Sequence, residues 1–244
     1  MLENKMLELA KESVVRRTLS CFKLPLLCSA ASLVLAACSA QNRPNRPPKG
    51  FESLFNGSDL TGWKRHDNLP DHGLAGKWFV EDNAIVGIQD PPGKGGFLTT
   101  LRQFRDFELL LETKIDWPFD SGVFLRIGPD GKSHQVTLDY RPGGEIGGIY
   151  CPWTRGFVHH CPEGIKYFKK NQWNCLRIVC RREPARIQVW LNETLITDFR
   201  HTAETTSGIP EEGTICLQVH PGGKGHENSK ARFRNIFVRR LTPH

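Results

Sequence analysis

Three apolar runs carry polar side chains at alternate positions, and those positions hold residue types that handle protons and hydroxyl groups. Side chains alternate across a strand. In 122–127, Val123, Leu125 and Ile127 therefore share one face, and Phe124 and Arg126 the other. In 134–140, Val136, Leu138 and Tyr140 form the apolar face, opposite Gln135, Thr137 and Asp139. In 214–220, Ile215, Leu217 and Val219 point to a core, while Cys216, Gln218 and His220 point away. Were these runs neighbours in one sheet, Arg126, Gln135, Thr137, Asp139, Gln218 and His220 would share a surface. Carboxylate, amide and guanidinium groups together donate and accept, as a hydroxyl-rich ligand requires, and Trp117 and Trp153 in adjoining loops could cover its apolar faces. The same pattern also describes the ordinary solvated face of an antiparallel sheet.

Other residues add to this surface or compete with it. His220 opens the run Pro221-Gly222-Gly223-Lys224-Gly225-His226, expected to be a mobile loop at a strand end, from which a catalytic group could be presented. His134 falls on the core parity and reads as buried. His159 and His160 share a loop with Arg155 and Glu163 and are candidate ligand contacts. The glycine run at 143–148 lacks the Lys-Ser/Thr of a phosphate loop and reads as a loop that brings Glu145 to the sheet. Cys151 and Cys161 flank the histidine loop, as a disulfide or as zinc ligands with His159 and His160. No paired CxxC or HxxxH spacing is present, so no metal site is assigned. Cys175, Cys180 and Cys216 sit in apolar runs, where a thiol behaves as a small hydrophobe.

The elements that must position these groups are short strands. From Phe51 onward the apolar stretches are brief, with Gly, Pro, Asn and Asp between them, and no 3.6-residue period is sustained. Strands are expected at 78–81, 84–88, 104–115, 122–127, 134–140, 173–181, 186–191, 195–199, 214–220 and 231–240. Asp82-Asn83 and Asn192-Glu193 read as hairpin turns. This spacing predicts one antiparallel two-sheet jelly roll.

The first 37 residues read as a lipoprotein signal. Arg16, Arg17 and Lys23 precede an apolar run from Leu24 that ends in the lipobox Leu35-Ala36-Ala37-Cys38, with Cys38 the lipidated residue. An ordinary secretory peptide cleaved near Ala37 or Ala40 fits the same layout. Either places the domain outside the cytoplasm, with a lipid anchor putting it in a bacterial cell envelope. Residues 38–50 are polar and proline-rich and read as a tether. Removing the leader takes five basic and three acidic residues from the formal +7, which leaves +5. That excess is scattered, with no basic stripe or aromatic ladder, and argues against nucleic-acid binding.

Phe51-Glu-Ser-Leu-Phe-Asn-Gly-Ser-Asp-Leu-Thr-Gly-Trp63, Trp78-Phe-Val-Glu-Asp-Asn83, Phe107-Glu-Leu109, Ser121-Gly-Val-Phe-Leu-Arg126, Trp173-Asn174, Val189-Trp-Leu-Asn192, Gly213-Thr-Ile-Cys-Leu-Gln-Val-His220 and Phe233-Arg-Asn-Ile236 follow in an order that is specific. In that order they resemble the 3-keto-disaccharide hydrolase domain family, from Phe51 to Leu241, setting the domain at 51–242. The resemblance implies an all-β, concanavalin/laminin-G-like antiparallel β-sandwich and cleavage of glycosides oxidised at C3. A C3 ketone acidifies the C2 proton, so a base can form an enolate, the C1 substituent leaves by elimination, and water adds back. Such chemistry needs a base, a group for the enolate oxygen and an acid for the leaving oxygen. His220, Asp139 and Arg126 are the candidates, with Gln135, Thr137, Gln218, Trp153, His159 and His160 for binding. Where the family's middle strand reads Glu-Val-Gln-Ile-x-Asp, this chain has Ser133-His134-Gln135-Val136-Thr137-Leu138-Asp139; the glutamate is absent, and Glu145 is its candidate replacement.

No dinucleotide-binding unit is present, so no redox cofactor is expected, and the ketone would come from a separate oxidoreductase. A divalent cation near His220 and Asp139 could stabilise an enolate, although no ligand spacing calls for one. A carbohydrate-binding lipoprotein without catalysis is the alternative on the same sandwich. A conventional endo-glucanase fits less well, since Glu108-Leu109-Leu110-Leu111-Glu112 has leucine where the middle carboxylate belongs.

Overall fold

The computed structural model describes residues 45–66, 75–139, 145–182 and 186–242. The expected leader, Cys38, the start of the tether, Tyr140, Gly143 and Gly144 lie outside the described residues. The first strands are β1 (Glu52–Ser53), β2 (Trp63–Arg65), β3 (Lys77–Glu81), β4 (Ala84–Ile88), β5 (Gly96–Phe104) and β6 (Phe107–Ile115). β7 (Ser121–Ile127), β8 (His134–Leu138), β9 (Ile146–Cys151) and β10 (Gly156–His159) follow, then a 3-10 turn at Gly164–Tyr167. β11 (Asn174–Arg181), β12 (Arg186–Leu191), β13 (Thr194–Arg200), β14 (Gly213–Val219) and β15 (Ala231–Arg240) complete the chain.

These strands form two antiparallel sheets, so the expected all-β sandwich is the observed fold. The first runs β13-β12-β11-β6-β15-β4-β3, with β1 also on β15, and the second runs β10-β9-β8-β7-β14-β5-β2. The core lies between them: Leu109, Leu111, Ile178 and Phe233 from the first sheet meet Val123, Leu125, Val136, Ile215 and Leu217 from the second. Each such side chain contributes about 1.5–3 kcal/mol by leaving water. Both predicted hairpins are present. Asp82 and Asn83 take φ of 51° and 58°, and Asn192 and Glu193 take 46° and 76°, the paired positive values that a two-residue turn needs to match strand twist.

The departures from the expected strands have local causes. The continuous run 104–115 breaks at Arg105-Asp106, because β5 belongs to the second sheet and β6 to the first. Asp106 holds that crossing, its Oδ1 accepting Arg182 N at 2.5 Å and its carbonyl accepting Leu241 N at 2.9 Å. The glycine run read as a loop instead enters β9, where Gly147 takes φ of 87° and a Cβ on Gly148 would sit 3.0 Å from Glu145 and Phe157. Glycine in a strand marks close approach there. Within the stretch read as tether, Asn45 is bonded to the domain: Asn45 N donates to Asn235 Oδ1 at 2.5 Å, and Asn235 N returns a bond to Asn45 Oδ1 at 3.0 Å.

The outer face of the first sheet is closed by ion pairs. Glu108 accepts from Arg177 Nε at 2.6 Å and from Arg239, and Glu112 accepts from Arg234 Nε at 2.8 Å and Asn235 Nδ2 at 2.7 Å. Arg177 lies over Trp190 and Arg234 over Trp173, each 4.0 Å from the ring. These carboxylates are tied up structurally, which removes them as a glucanase pair.

Candidate active site

The second sheet carries a cavity of about 350 Å³ on its outer face. Its floor is polar. Gln135 and Thr137 come from β8, Gln218 from β14, and Asp139 and His220 from just beyond the ends of those strands. β7 lies between β8 and β14, and its Gly122 leaves room for Gln135, whose Nε2 would lie 2.2 Å from a Cβ there. Gln135 thus reaches across to donate to Gln218 Oε1 at 3.0 Å. Thr137 Oγ1 donates to the Glu145 carbonyl, which ties β8 to the start of β9.

His220 is fixed at the mouth of the cavity. Its Nδ1–H donates to the Pro221 carbonyl at 2.6 Å, so Nε2 is the nitrogen presented for proton transfer. Asp120 Oδ2 lies 3.7 Å from that Nε2, and His220 N reaches the Asp120 carbonyl at 3.4 Å. Asp120 is buried and also lines the cavity. The alternation of polar residues did not mark it, because it precedes β7 rather than lying within it. Register could have found it: Leu217 pairs with Val123, so continuing the antiparallel ladder sets 120 opposite 220. The loop after His220, expected to be mobile, is pinned at its start. Gln89 Nε2 donates to the carbonyls of His220 at 2.9 Å and Gly222 at 2.6 Å.

The walls are aromatic. Phe97 and Phe124 pack edge to face at 4.9 Å, with Trp153 6.4 Å from Phe97, and Tyr150 and Phe157 meet at 5.2 Å on the other side. Trp153 takes φ of 56° and is 45% exposed, so a turn holds its indole out at the rim.

Several expected residues sit elsewhere. Arg126 does not line the cavity. The β7–β14 ladder skips from Ile127–Thr214 to Phe124–Cys216, an extra residue on β7 that makes a bulge, and Arg126 takes φ of 56° within it. The bulge resets the alternation and turns Arg126 into the sandwich, 1% exposed, within electrostatic reach of Cys180 on the first sheet. Glu145 is a buried bracket: it accepts from Cys161 N at 2.5 Å and pairs with His160 Nδ1. His160 stacks on Phe157 at 4.8 Å, outside the cavity wall. His159 turns toward Phe199, 5.5 Å away, and burial lowers its pKa. Trp117 packs on Phe168 at 5.6 Å, away from the cavity. Cys151 and Cys161 are free and buried, and burial pushes the Cys151 thiol up to about 12, so neither the disulfide nor a thiolate nucleophile is present there. Among the described residues no three His, Cys, Asp or Glu side chains converge as a metal site.

A chain from Parabacteroides distasonis, provisionally named a glycosyl hydrolase, superposes with a TM-score of 0.59 at 21% identity, covering 82% of this chain and 100% of that one. A second from the same organism gives 0.55 at 24% identity, over 78% and 99%. These show the shared fold. A 3-keto-disaccharide hydrolase of Bacteroides thetaiotaomicron is 26% identical over 159 residues, 50% of this chain and 51% of that protein, so the chain spans about half of that relative. The model of the 3-keto-alpha-glucoside-1,2-lyase-like domain matches residues 50–239, and the chain belongs to that family.

Proposed function

We propose that this protein cleaves the glycosidic bond of 3-keto-glycosides by proton abstraction at C2, elimination and hydration. The observation that carries the reading is His220 Nε2, oriented through Nδ1 and set 3.7 Å from buried Asp120, at a polar-floored and aromatic-walled cavity. In this reading Nε2 takes the C2 proton and Asp120 stabilises the imidazolium that results. Amide N–H groups of Gln135 and Gln218 donate to the enolate oxygen, the role assigned on sequence to Arg126. The C1 substituent departs with the electron pair and takes up a proton. Water then adds its oxygen at C1 and a proton returns to C2, so the net reaction is hydrolysis. Asp139 lies two strands from His220, about 10 Å of sheet, which leaves room for a pyranose ring between the two groups. From there Asp139 handles the leaving oxygen and the incoming water.

The family, and the 3-keto-disaccharide hydrolase that matches half the chain, support the substrate class. The reading further proposes an envelope lipoprotein anchored through Cys38, supplied with ketone by a separate oxidoreductase. A Cys38→Ser chain that still fractionates with membranes would overturn the anchor. For the reaction, the protein is incubated with 3-keto-trehalose and 3-keto-glucosides beside the unoxidised sugars, and free 3-keto-glucose is followed. Release only from the keto sugars, lost in His220→Ala, supports elimination. Turnover of unoxidised sugars sinks it, and tight binding without turnover moves the conclusion to a carbohydrate-binding protein.

A further inference from the structure

At the end of these strands away from His220, Arg126, His134 and His201 gather inside the protein. The bulge turns Arg126 inward, His134 begins β8 opposite Leu125, and His201 follows β13. All three are more than nine-tenths buried. The two imidazole rings lie 5.0 Å apart. Nε2–H of His134 donates to the Thr205 carbonyl at 3.3 Å and that of His201 to the Arg181 carbonyl at 3.2 Å, which leaves each Nδ1 as a bare ring nitrogen. Neither Nδ1 has a hydrogen-bond partner among the described residues, nor do Nε and Nη1 of Arg126.

A guanidinium keeps its charge at any pH a folded protein tolerates. Here that charge sits in a low-dielectric interior with two orphaned donors and, among the described residues, no carboxylate in ion-pair contact. Water could satisfy the N–H groups but would leave the charge unbalanced, whereas an anion does both. We propose that this knot is a binding site for one small monovalent anion of halide size, accepting from Nε–H and Nη1–H of Arg126 and lying against the two imidazoles.

Such an anion needs donors on its far side, where the bare rings offer lone pairs. Binding therefore brings a proton from solvent onto Nδ1 of one imidazole, which then donates to the anion while its Nε2–H keeps the carbonyl. The charged and titratable groups around the rings are Arg126 within electrostatic reach of both, Arg182 near His201, and Cys151, whose thiol reaches the Thr205 carbonyl that His134 also uses; Cys180 on β11 lies within reach of Arg126, with Asp106 of the β5–β6 crossing near it. In the absence of an anion, burial and Arg126 hold the rings neutral, and the anion's charge opposes that. The site is independent of the sugar reading, since it shares no side chain with the cavity.

Thermal unfolding of the full chain tests this at constant ionic strength, with chloride or bromide replacing a bulky organic sulfonate, from pH 7.5 to 5. The expected result is a Tm that rises with halide, with an apparent halide Kd that falls by up to about tenfold per pH unit as the pH drops, the slope of one linked proton. Arg126→Met keeps the volume and removes charge and donors, and its Tm should lose the halide dependence. Bromide-soaked crystals of the wild-type protein should show anomalous density between Arg126 and the rings, which decides the matter even if the variant does not fold. A Tm indifferent to the anion throughout the range, or density there without anomalous signal, identifies a water-filled knot and overturns the proposal.

Discussion

β7, β8 and β14 each run between two polar sites, and the two ends treat the same side-chain chemistry in opposite ways. At the cavity end, His220 keeps one nitrogen committed to a carbonyl and turns the other toward a carboxylate and an opening. At the opposite end, His134 and His201 also commit one nitrogen each to a carbonyl, but the other has no partner among the described residues, and both rings lie within electrostatic reach of a buried guanidinium. A histidine near a carboxylate can gain and release a proton at modest cost, while one enclosed beside a cation is held neutral. Without a bound anion at the closed end, the fold therefore confines proton traffic to the other end of these strands.

The largest effect expected from breaking this asymmetry is at the open end. His220→Ala should lower kcat on a 3-keto-glucoside by about 10³-fold, within the range by which a positioned general base acts, with KM and Tm nearly unchanged. Asp120→Asn keeps the shape but removes the charge beside Nε2, and should cost about tenfold to a hundredfold in kcat with an altered pH profile. Steady-state kinetics across pH checks both. An Asp120→Asn enzyme with wild-type kcat and an unmoved profile would reduce Asp120 to a structural residue.

Acid should act at the closed end. Burial, reinforced by Arg126 and His201, pulls His134 down to about 3, and burial with Arg126 pulls His201 down to about 4. Above the ordinary histidine pKa of about 6.5 both rings are neutral whether folded or unfolded, and contribute no pH dependence. Below it the unfolded chain takes up protons that the folded chain refuses, so stability falls until the folded values are reached. For His134 the loss is about 1.4 kcal/mol per pH unit in that window, and His201, nearer to solvent, adds less. Denaturant midpoints between pH 7 and 4 in halide-free buffer measure it, and His134→Gln should flatten the slope. A smaller effect is expected from Arg126→Met in the same buffer. Replacing an unpaired buried charge by a similar apolar volume should leave stability unchanged or raise it by about 1–3 kcal/mol.

The two ends also differ in how far they could be read from sequence. Gln135, Thr137, Gln218 and His220 were legible because Val136, Leu138, Leu217 and Val219 alternate with them, and a period of two survives wherever a strand is regular. Arg126 was not, because the bulge inserts one residue and reverses every direction beyond it, and nothing in Leu125-Arg126-Ile127 marks the insertion. Asp120 was hidden for another reason: it belongs to the site through strand register, a long-range property. The aromatic wall was partly missed because Gly147 and Gly148 disguise β9 as a loop, so Tyr150 and Phe157 lacked a strand to face from. The sandwich itself depended on none of these details, since brief apolar runs and turn residues imply it without register.

Trp153 offers the finest comparison, between holding a ligand and holding the fold. At 45% exposed it offers nearly half of its area to solvent, and it stands at the rim in a left-handed conformation that is strained for any residue with a Cβ. If its indole covers a sugar face, Trp153→Ala should raise KM by about fivefold, roughly 1 kcal/mol of lost stacking, with kcat little changed. Trp153→Gly should weaken binding equally, because it removes the same ring. It should be more stable than the alanine variant by about 1 kcal/mol, because glycine takes positive φ without strain. Comparing KM and Tm across the pair separates the two roles. A common KM with split Tm values assigns the ring to substrate and the backbone to the turn, whereas a KM that follows Tm would mean that the ring mainly orders the loop.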